Sequence, residues 1–403
     1  ITGVILLFFG SGPIKGFATT LIIGIVCSFF TAVFLTRIAF DFITKNGRCA
    51  NMTFDTGISR NFLANTKINF LGQWKTAATV WIALIVISIA SLAIRGMNQG
   101  IDFSGGRNYV VQFDKEVNPS EIQARLLEQL QKEANDKTVS VGVITIDNPT
   151  KVRISTNYKI SGEDANIDNE VTGLLYKNLQ PELTGADGVV MDMNAFAVAD
   201  ESRGIISIQK VGPSVADDMR RDAYWAVGIA VVCMFLYILL RFRTIAFSVG
   251  AVCAVALTAF LIVGFYSICW GFLPFSMEID QSFIAAVLTI IGYQINDTVV
   301  VFDRVREMMK IYPKEDRFIT FNRSLNTTLT RTIMTSFSTL LVLLCIFFLG
   351  GDTIRSFTFA MIFGVIVGTF CSLYCAAPIA YNIIKASAKK NVCLLYTSDA
   401  ADS

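Results

Sequence analysis

Residues 282–302, SFIAAVLTIIGYQINDTVVVF, decide what kind of protein this is. Twenty-one consecutive positions hold one carboxylate, Asp297, and no cation. As a helix rising 1.5 Å per residue they reach about 30 Å, the thickness of a bilayer's hydrocarbon core. A carboxylate at that depth costs about 2.5–3.5 kcal/mol on insertion scales, so one kept there has work to do. Working outward, the same reading gives seven more apolar spans: 1–9 (incomplete), 17–35, 76–95, 223–240, 245–268, 332–349 and 357–384. Of all residues 53% are hydrophobic and 16% charged, which excludes an ordinary soluble domain, where about a quarter are charged. A net charge of +2 gives no case for binding nucleic acid.

The placement of charge orients the spans. Segments 36–75, 241–243, 303–331 and 385–390 would share one side and are rich in Lys and Arg, from Arg37 and Lys45 through Arg241, Arg304 and Arg331 to Lys390. The short loops opposite hold only Lys15 and Arg355, and loop 269–281 has no cation but carries Glu278 and Asp280. The positive-inside rule puts the first set in the cytoplasm and the polar stretch 97–222 outside.

That stretch reads as a small α+β domain. GRNYVVQF (106–113) is a strand, and Asn118-Pro119-Ser120-Glu121 is a helix start with a capping side chain and proline in the first turn. Ile122, Leu126 and Leu130 recur at helical spacing. VSVGVITI (139–146) and VRIST (152–156) pair around the turn Asp147-Asn148-Pro149-Thr150. A second helix carries Ile167, Val171, Leu174 and Leu175 on one face, and IISIQKV (205–211) is the last strand. The order β-α-β-β-α-β implies a ferredoxin-like sheet.

Residues 8–31 repeat at 348–371 without a gap: Phe8/Phe348, Gly10/Gly350, Ile14/Ile354, Phe17/Phe357, Ile22/Ile362, Gly24/Gly364 and Phe30/Phe370 are identical, and Lys15/Arg355 keeps the charge. Repeated helical bundles are a transporter-like architecture. The nine cysteines form no CxxC or Cys/His spacing, so neither a metal nor a disulfide framework is expected, and no cofactor is called for. Residues 391–403, NVCLLYTSDAADS, break the preceding pattern and read as a non-native tail.

Four motifs resemble SecF: GIDFSGG (100–106), VGPSVADDM (211–219), GYQINDTVVVFDRVRE (292–307) and TRTIMTS (330–336). GSGPIKGFATTLIIGIVCSFFTAVFLTR (10–37) looks like the last two spans of SecD. The resemblance to the SecD/SecF family divides the chain into 1–42 (two SecD-like helices), a cytoplasmic linker 43–75, a first SecF-like helix 76–96, an external domain 97–222, five SecF-like helices 223–390 and the tail 391–403. It implies a helix bundle like that of resistance-nodulation-division exporters, in the bacterial cytoplasmic membrane. It further implies an accessory of the Sec translocase that uses the proton motive force to assist preprotein export. The partners so implied are the translocon channel, other accessory subunits, unfolded preprotein and the lipid bilayer. Two departures stand out: AVALTAFLIVGF (254–265) lacks the family's frequent His-Asp pair, and position 294 is Gln where a serine is common.

Among the candidate site residues Asp297 leads. Burial disfavours its charge and a nearby cation favours it, so it suits a protonation switch; the plainer reading is a hydrogen-bonded structural carboxylate. Arg331 opens the next span from the cytoplasmic side and either reaches Asp297 or snorkels to headgroups. Asn296 and Thr298 either support a proton path or tie helices together. Gly100, Asp102, Gly105 and Gly106 of GIDFSGG lack a phosphate loop's lysine and read as the turn into the external sheet. Cys269–Phe275 is an interfacial aromatic belt. Nothing resembles a nucleotidase or another enzyme, so ATP would be used by a partner. Two competing functions are an exporter of small molecules or lipids and a non-conducting translocase scaffold.

Overall fold

The structure, a computed structural model, describes residues 2–9, 13–45, 66–135, 139–146, 148–160, 165–184, 190–197, 203–270, 272–273, 275, 277–350 and 352–387. Residues 46–65 of the linker and the tail 391–403 lie outside the described residues.

Among them, seven helices are long and apolar enough to cross a membrane. Helix α1 (Thr2–Phe9) is the eight-residue piece read as an incomplete span. Helix α2 runs Pro13–Phe30, passes through a π-helical turn at Thr31–Leu35 and ends with Thr36–Thr44. Helix α3 (Trp74–Arg95) leads to the sheet domain. Helices α8 (Pro213–Phe242), α9 (Ile245–Cys269), α10 (Gln281–Ile311), α11 (Arg317–Leu349) and α12 follow it. α12 runs Asp352–Cys371, turns π-helical at Ser372–Ala376 and continues to Ser387. Several helices overrun the apolar windows: α8 starts ten residues before 223, α10 continues nine beyond 302, and α11 starts fifteen before 332. Hydropathy detects only the lipid-facing length, while charged turns extend each helix into water.

The repeat is carried by the backbone. The π-helical turns begin at Thr31 and Ser372, 341 positions apart, one from the offset of the sequence match. A π-bulge is uncommon and concentrates at functional places, so two at matching positions mark a shared bend. Their surroundings differ: α12 is mostly buried and α2 is exposed along nearly its whole length.

Close helix approach rests on small residues, as packing in lipid requires. A methyl group on Gly264 of α9 would lie 2.3 Å from the Ser88 side chain of α3, and one on Gly250 2.6 Å from the Ala376 carbonyl of α12. On the linker side, Phe70 and Leu71 are buried, and two asparagines of α11 fix them. Ile68 N–H donates to Asn326 Oδ1 at 2.9 Å, and Leu71 N–H to Asn322 Oδ1 at 3.1 Å.

The sheet domain consists of α4 (Ile101–Ser104), β1 (Gly106–Gln112), α5 (Pro119–Ala134), β2 (Val141–Ile146), β3 (Asn148–Thr156), α6 (Ala165–Leu183), α7 (Met193–Ala197) and β4 (Gly204–Val211). The strands lie in the order β2-β3-β1-β4, every pair antiparallel, which is the ferredoxin-like arrangement that the element order implies. One sheet face holds Tyr109, Val111, Val152 and Ile154, covered by Ile122, Leu126 and Leu130 of α5 and Val171, Leu175 and Leu179 of α6. The helix start is as read: Asn118 Oδ1 accepts from Ser120 N–H at 3.1 Å. The β2–β3 turn is tighter than read, since Asn148, Pro149 and Thr150 already belong to β3.

Sequence pattern did not show Arg107. It is fully buried in β1, donating through Nε to Asp168 Oδ1 at 3.0 Å and through Nη1 to the Tyr158 carbonyl at 2.8 Å. The aromatic belt also needs correcting. Phe272 is exposed as expected, but Phe275 is buried against Phe347 and Phe359 at the ends of α11 and α12.

A polar layer around Asp297 and its link to the sheet domain

Helix α10 starts where Asp280 caps it, its carboxylate accepting from Phe283 N–H at 2.8 Å. Its interior face carries Gln294, Asp297 and Thr298 in just over one turn, all buried. Asp297, 5% exposed, faces α11, where Arg331, Thr335 and Ser336 lie around its carboxylate. Its Oδ2 has no hydrogen-bond partner among the described residues. Arg331 acts on it as a charge without an ion-pair contact. Arg331 and Thr335 are themselves exposed, so the layer opens to the outside of the bundle there.

Two hydroxyl pairs extend the layer to α12. Ser336 bonds Thr369 at 2.7 Å, and Thr298 bonds Ser372 at 3.0 Å while also donating to the Gln294 carbonyl at 3.0 Å. Ser372 is the first residue of the π-helical turn, so that bend is bonded to the neighbour of Asp297. Thr298 thus ties helices together. Asn296, about 100° round the helix, lies on the exposed surface and takes no part in the layer. The buried amide of Gln294 has no side-chain partner at either end among the described residues, a state costing about 1–3 kcal/mol for each bare group.

Sequence reading missed Gln294, Thr335, Ser336, Thr369 and Ser372 as members. A signal was present: Thr320, Ser324, Thr328, Thr332 and Ser336 recur every four residues along α11, and all are buried. Such a buried hydroxyl stripe faces other helices, and where it enters the span, at Thr332 and Ser336, lipid offers it no partner.

The GIDFSGG segment, read as a turn, holds the one-turn helix α4 between Gly100 and Gly105, and it is bonded to the start of α10. Gly100 N–H donates to the Ile279 carbonyl at 3.0 Å, Ile279 N–H to the Asn98 carbonyl at 2.8 Å, and Gln281 N–H to Asp102 Oδ2 at 3.2 Å. Arg220 of α8 donates to the Phe103 carbonyl. Gly105 has a φ of +70°, which favours glycine. A methyl on Gly106 would lie 2.8 Å from the Ile101 side chain and 3.0 Å from the Thr156 carbonyl, so only glycine fits. Burial raises the carboxyl of Asp102, and burial pushes that of Asp280 up to about 6, with Asp102 and Glu278 adding to it and the Phe283 N–H and Arg153 opposing. Beside this junction a cleft of about 540 Å³ separates β2 and β3 from Trp270 and Glu278.

A bundle of membrane-spanning helices, a buried carboxylate in its polar layer and a ferredoxin-like domain inserted between two spans define a polytopic membrane protein of transporter-like architecture. Comparison gives the family. Residues 192–386 match the family described as protein export membrane protein SecD/SecF, C-terminal, and residues 90–117 match the SecD/SecF GG motif. Protein translocase subunit SecF of Rhodothermus marinus is 35% identical over 81% of this chain and 97% of its own length. The fused SecDF subunit of Bacillus subtilis is 32% identical over 94% of this chain. The crystal structure of SecDF from a Thermus species superposes with a TM-score of 0.75 at 26% identity, covering 97% of this chain. The chain belongs to the SecD/SecF family of the cytoplasmic membrane, and it spans about half the length of the fused SecDF relatives, 48% and 47% respectively.

Proposed function

We propose that this chain serves as the SecF part of a protein translocase, converting protonation of Asp297 into motion of the sheet domain that assists preprotein export. In this reading the Lys- and Arg-rich ends face the cytoplasm and the sheet domain faces outward. A proton reaching Asp297 cancels its charge against Arg331 and changes which hydroxyls of α11 it holds. α10 then shifts relative to α11 and α12, and the bonds at Gly100, Asp102 and Ile279 carry the shift to the sheet domain. No covalent step is involved, so the chain is not an enzyme and ATP hydrolysis belongs to a partner. The translocon channel and unfolded preprotein are the partners this work requires.

The observation that carries the reading is a buried carboxylate with one oxygen unpartnered among the described residues and a cation acting on it from the next helix. Burial works against the charge of a group so placed and the cation works for it, the opposition a protonation switch needs. The scaffold reading keeps one point in its favour, the absence of any ionisable carboxylate from the 254–265 stretch of α9. The two are separated by preprotein release from membranes containing the protein, with the proton gradient intact or collapsed. Export assistance that vanishes with the gradient is expected; assistance unaffected by it would leave the scaffold.

A further inference from the structure

The polar layer contains a second unsatisfied group, one turn from Asp297. Gln294 is 1% exposed, and neither its Nε2 nor its Oε1 has a partner among the described residues. Gln294 and Asp297 are separated by three positions on one helix face, which places their Cβ atoms about 5–6 Å apart. Across from them Gly368 of α12 faces the glutamine: a methyl there would lie at ordinary contact distance, 3.5 Å, from its Cβ and Cγ. Thr298 cannot answer the amide, since its hydroxyl is engaged by the Gln294 carbonyl and Ser372. A buried donor, a buried acceptor and a bare carboxylate oxygen are thus gathered in one helical turn. Water occupies buried sites that offer it two to four polar partners. Apolar side chains fill most of the bundle, so the pair stands out as a polar point within it.

We propose that Gln294 and Asp297 hold a water molecule between them, and that Gln294 positions this water to deliver protons to Asp297 from the sheet-domain side. The amide N–H₂ donates to the water and the amide oxygen accepts from it, fixing its orientation. A proton arriving as hydronium passes to Asp297 Oδ2, leaving neutral water and a neutral carboxylic acid; the amide itself neither gains nor loses a proton. Because Gln294 precedes Asp297 on a helix that runs inward from the sheet domain, the water lies on the side from which the gradient supplies protons. The inference rests on the relay role proposed for Asp297.

The test combines an export assay with infrared difference spectra of the membrane-embedded protein after a pH jump, in ordinary and in oxygen-18 water. The wild type should show a weakly bonded water band that shifts in oxygen-18 water. Gln294→Met, similar in length but without the amide, should lose the band and at least about tenfold of proton-driven export. Gln294→Ser keeps a hydroxyl and adds room for water, so it should retain the band and most of the export. No such band in the wild type, or an unchanged band and normal export in Gln294→Met, would overturn the proposal. Should Gln294→Met fail to assemble, the wild-type spectrum and Gln294→Ser decide. Asp297→Asn measured in parallel separates the two claims: normal export there overturns the relay itself, whereas lost export there with normal export in Gln294→Met overturns only the water site.

Discussion

The carboxylate of Asp102 accepts a hydrogen bond from the backbone N–H of Gln281 at 3.2 Å, so the turn that opens the sheet domain is bonded to the first residue of the helix bearing Asp297. Gly100 and Ile279 reinforce the contact with a second bond at 3.0 Å. Movement of α10 therefore has a direct mechanical route to the sheet domain. The cleft beside the junction is lined by residues of β2 and β3 on one side and by Trp270 and Glu278 on the other.

This junction should tighten in acid. Asp280 is pushed up to about 6 by burial, above the ordinary 3.8, so its neutral form is the one the folded junction favours. That contribution is full below about pH 4 and is lost as pH rises through about 6; such a gap is worth roughly 1–3 kcal/mol. Hydrogen exchange across residues 98–104 and 278–284, corrected for intrinsic rates, should show more protection near pH 5 than near pH 8. Asp280→Asn should shrink the difference to the part contributed by Asp102, which burial also raises. Equal protection at both pH values in the wild type would refute the link.

The sheet domain should depend on a pair that pattern alone did not reveal. Burial works against the charge of Asp168, yet Lys210 and Arg107 together hold its carboxyl below the usual carboxylate range. Its stabilising effect is present above the unfolded carboxylate value near pH 4 and is lost as pH falls through the lower folded value. Because Asp168 is half exposed, Asp168→Asn should cost only about 1 kcal/mol at neutral pH. Urea melts of a fragment covering 97–222 should be cooperative and show that loss. A variant as stable as the wild type would mean that the Tyr158 and Lys159 carbonyls suffice for Arg107.

Orientation is tested by single cysteines in a cysteine-free background. Lys132 and Lys177 are exposed on the two helices of the sheet domain. Cysteines at these positions should react with an impermeant thiol reagent in intact cells. Reaction only after lysis would invert the assignment of sides.

Thr298 and Ser372 share one interhelical bond, so their effects should not add. Thr298→Val and Ser372→Ala should each destabilise the bundle by about 0.6 kcal/mol, and the double variant by little more than either. Unfolding in bicelles provides the measurement. A double variant whose loss equals the sum of the singles would show that the two hydroxyls act separately.

The parts of this molecule legible in sequence were those governed by periodicity and partition. Apolar length marked the spans, and the β-forming run Tyr109-Val110-Val111 marked β1. Asn118 and Pro119 marked the start of α5. Asp297 stood out because a carboxylate in lipid is costly whatever its neighbours are. What was not legible depends on which helices meet. The partnership of Ser336 with Thr369, and of Thr298 with Ser372, lies between residues 33 and 74 positions apart. The same holds for Arg107 and Asp168, whose separate identities give no hint of a buried pair. Gln294 looked like a departure from the serine common at its place, and only its burial without a partner gives it meaning.

The central claim is that Asp297 changes protonation during work, and Asp297→Asn in the membrane-embedded protein tests it most directly. The amide is nearly isosteric and cheaper to bury than a carboxylate, so insertion and assembly should be preserved. Preprotein release driven by the proton gradient should fall by at least about tenfold, to the level seen with the gradient collapsed. Assembled Asp297→Asn protein with normal, gradient-stimulated export would contradict the account and leave Asp297 a structural carboxylate.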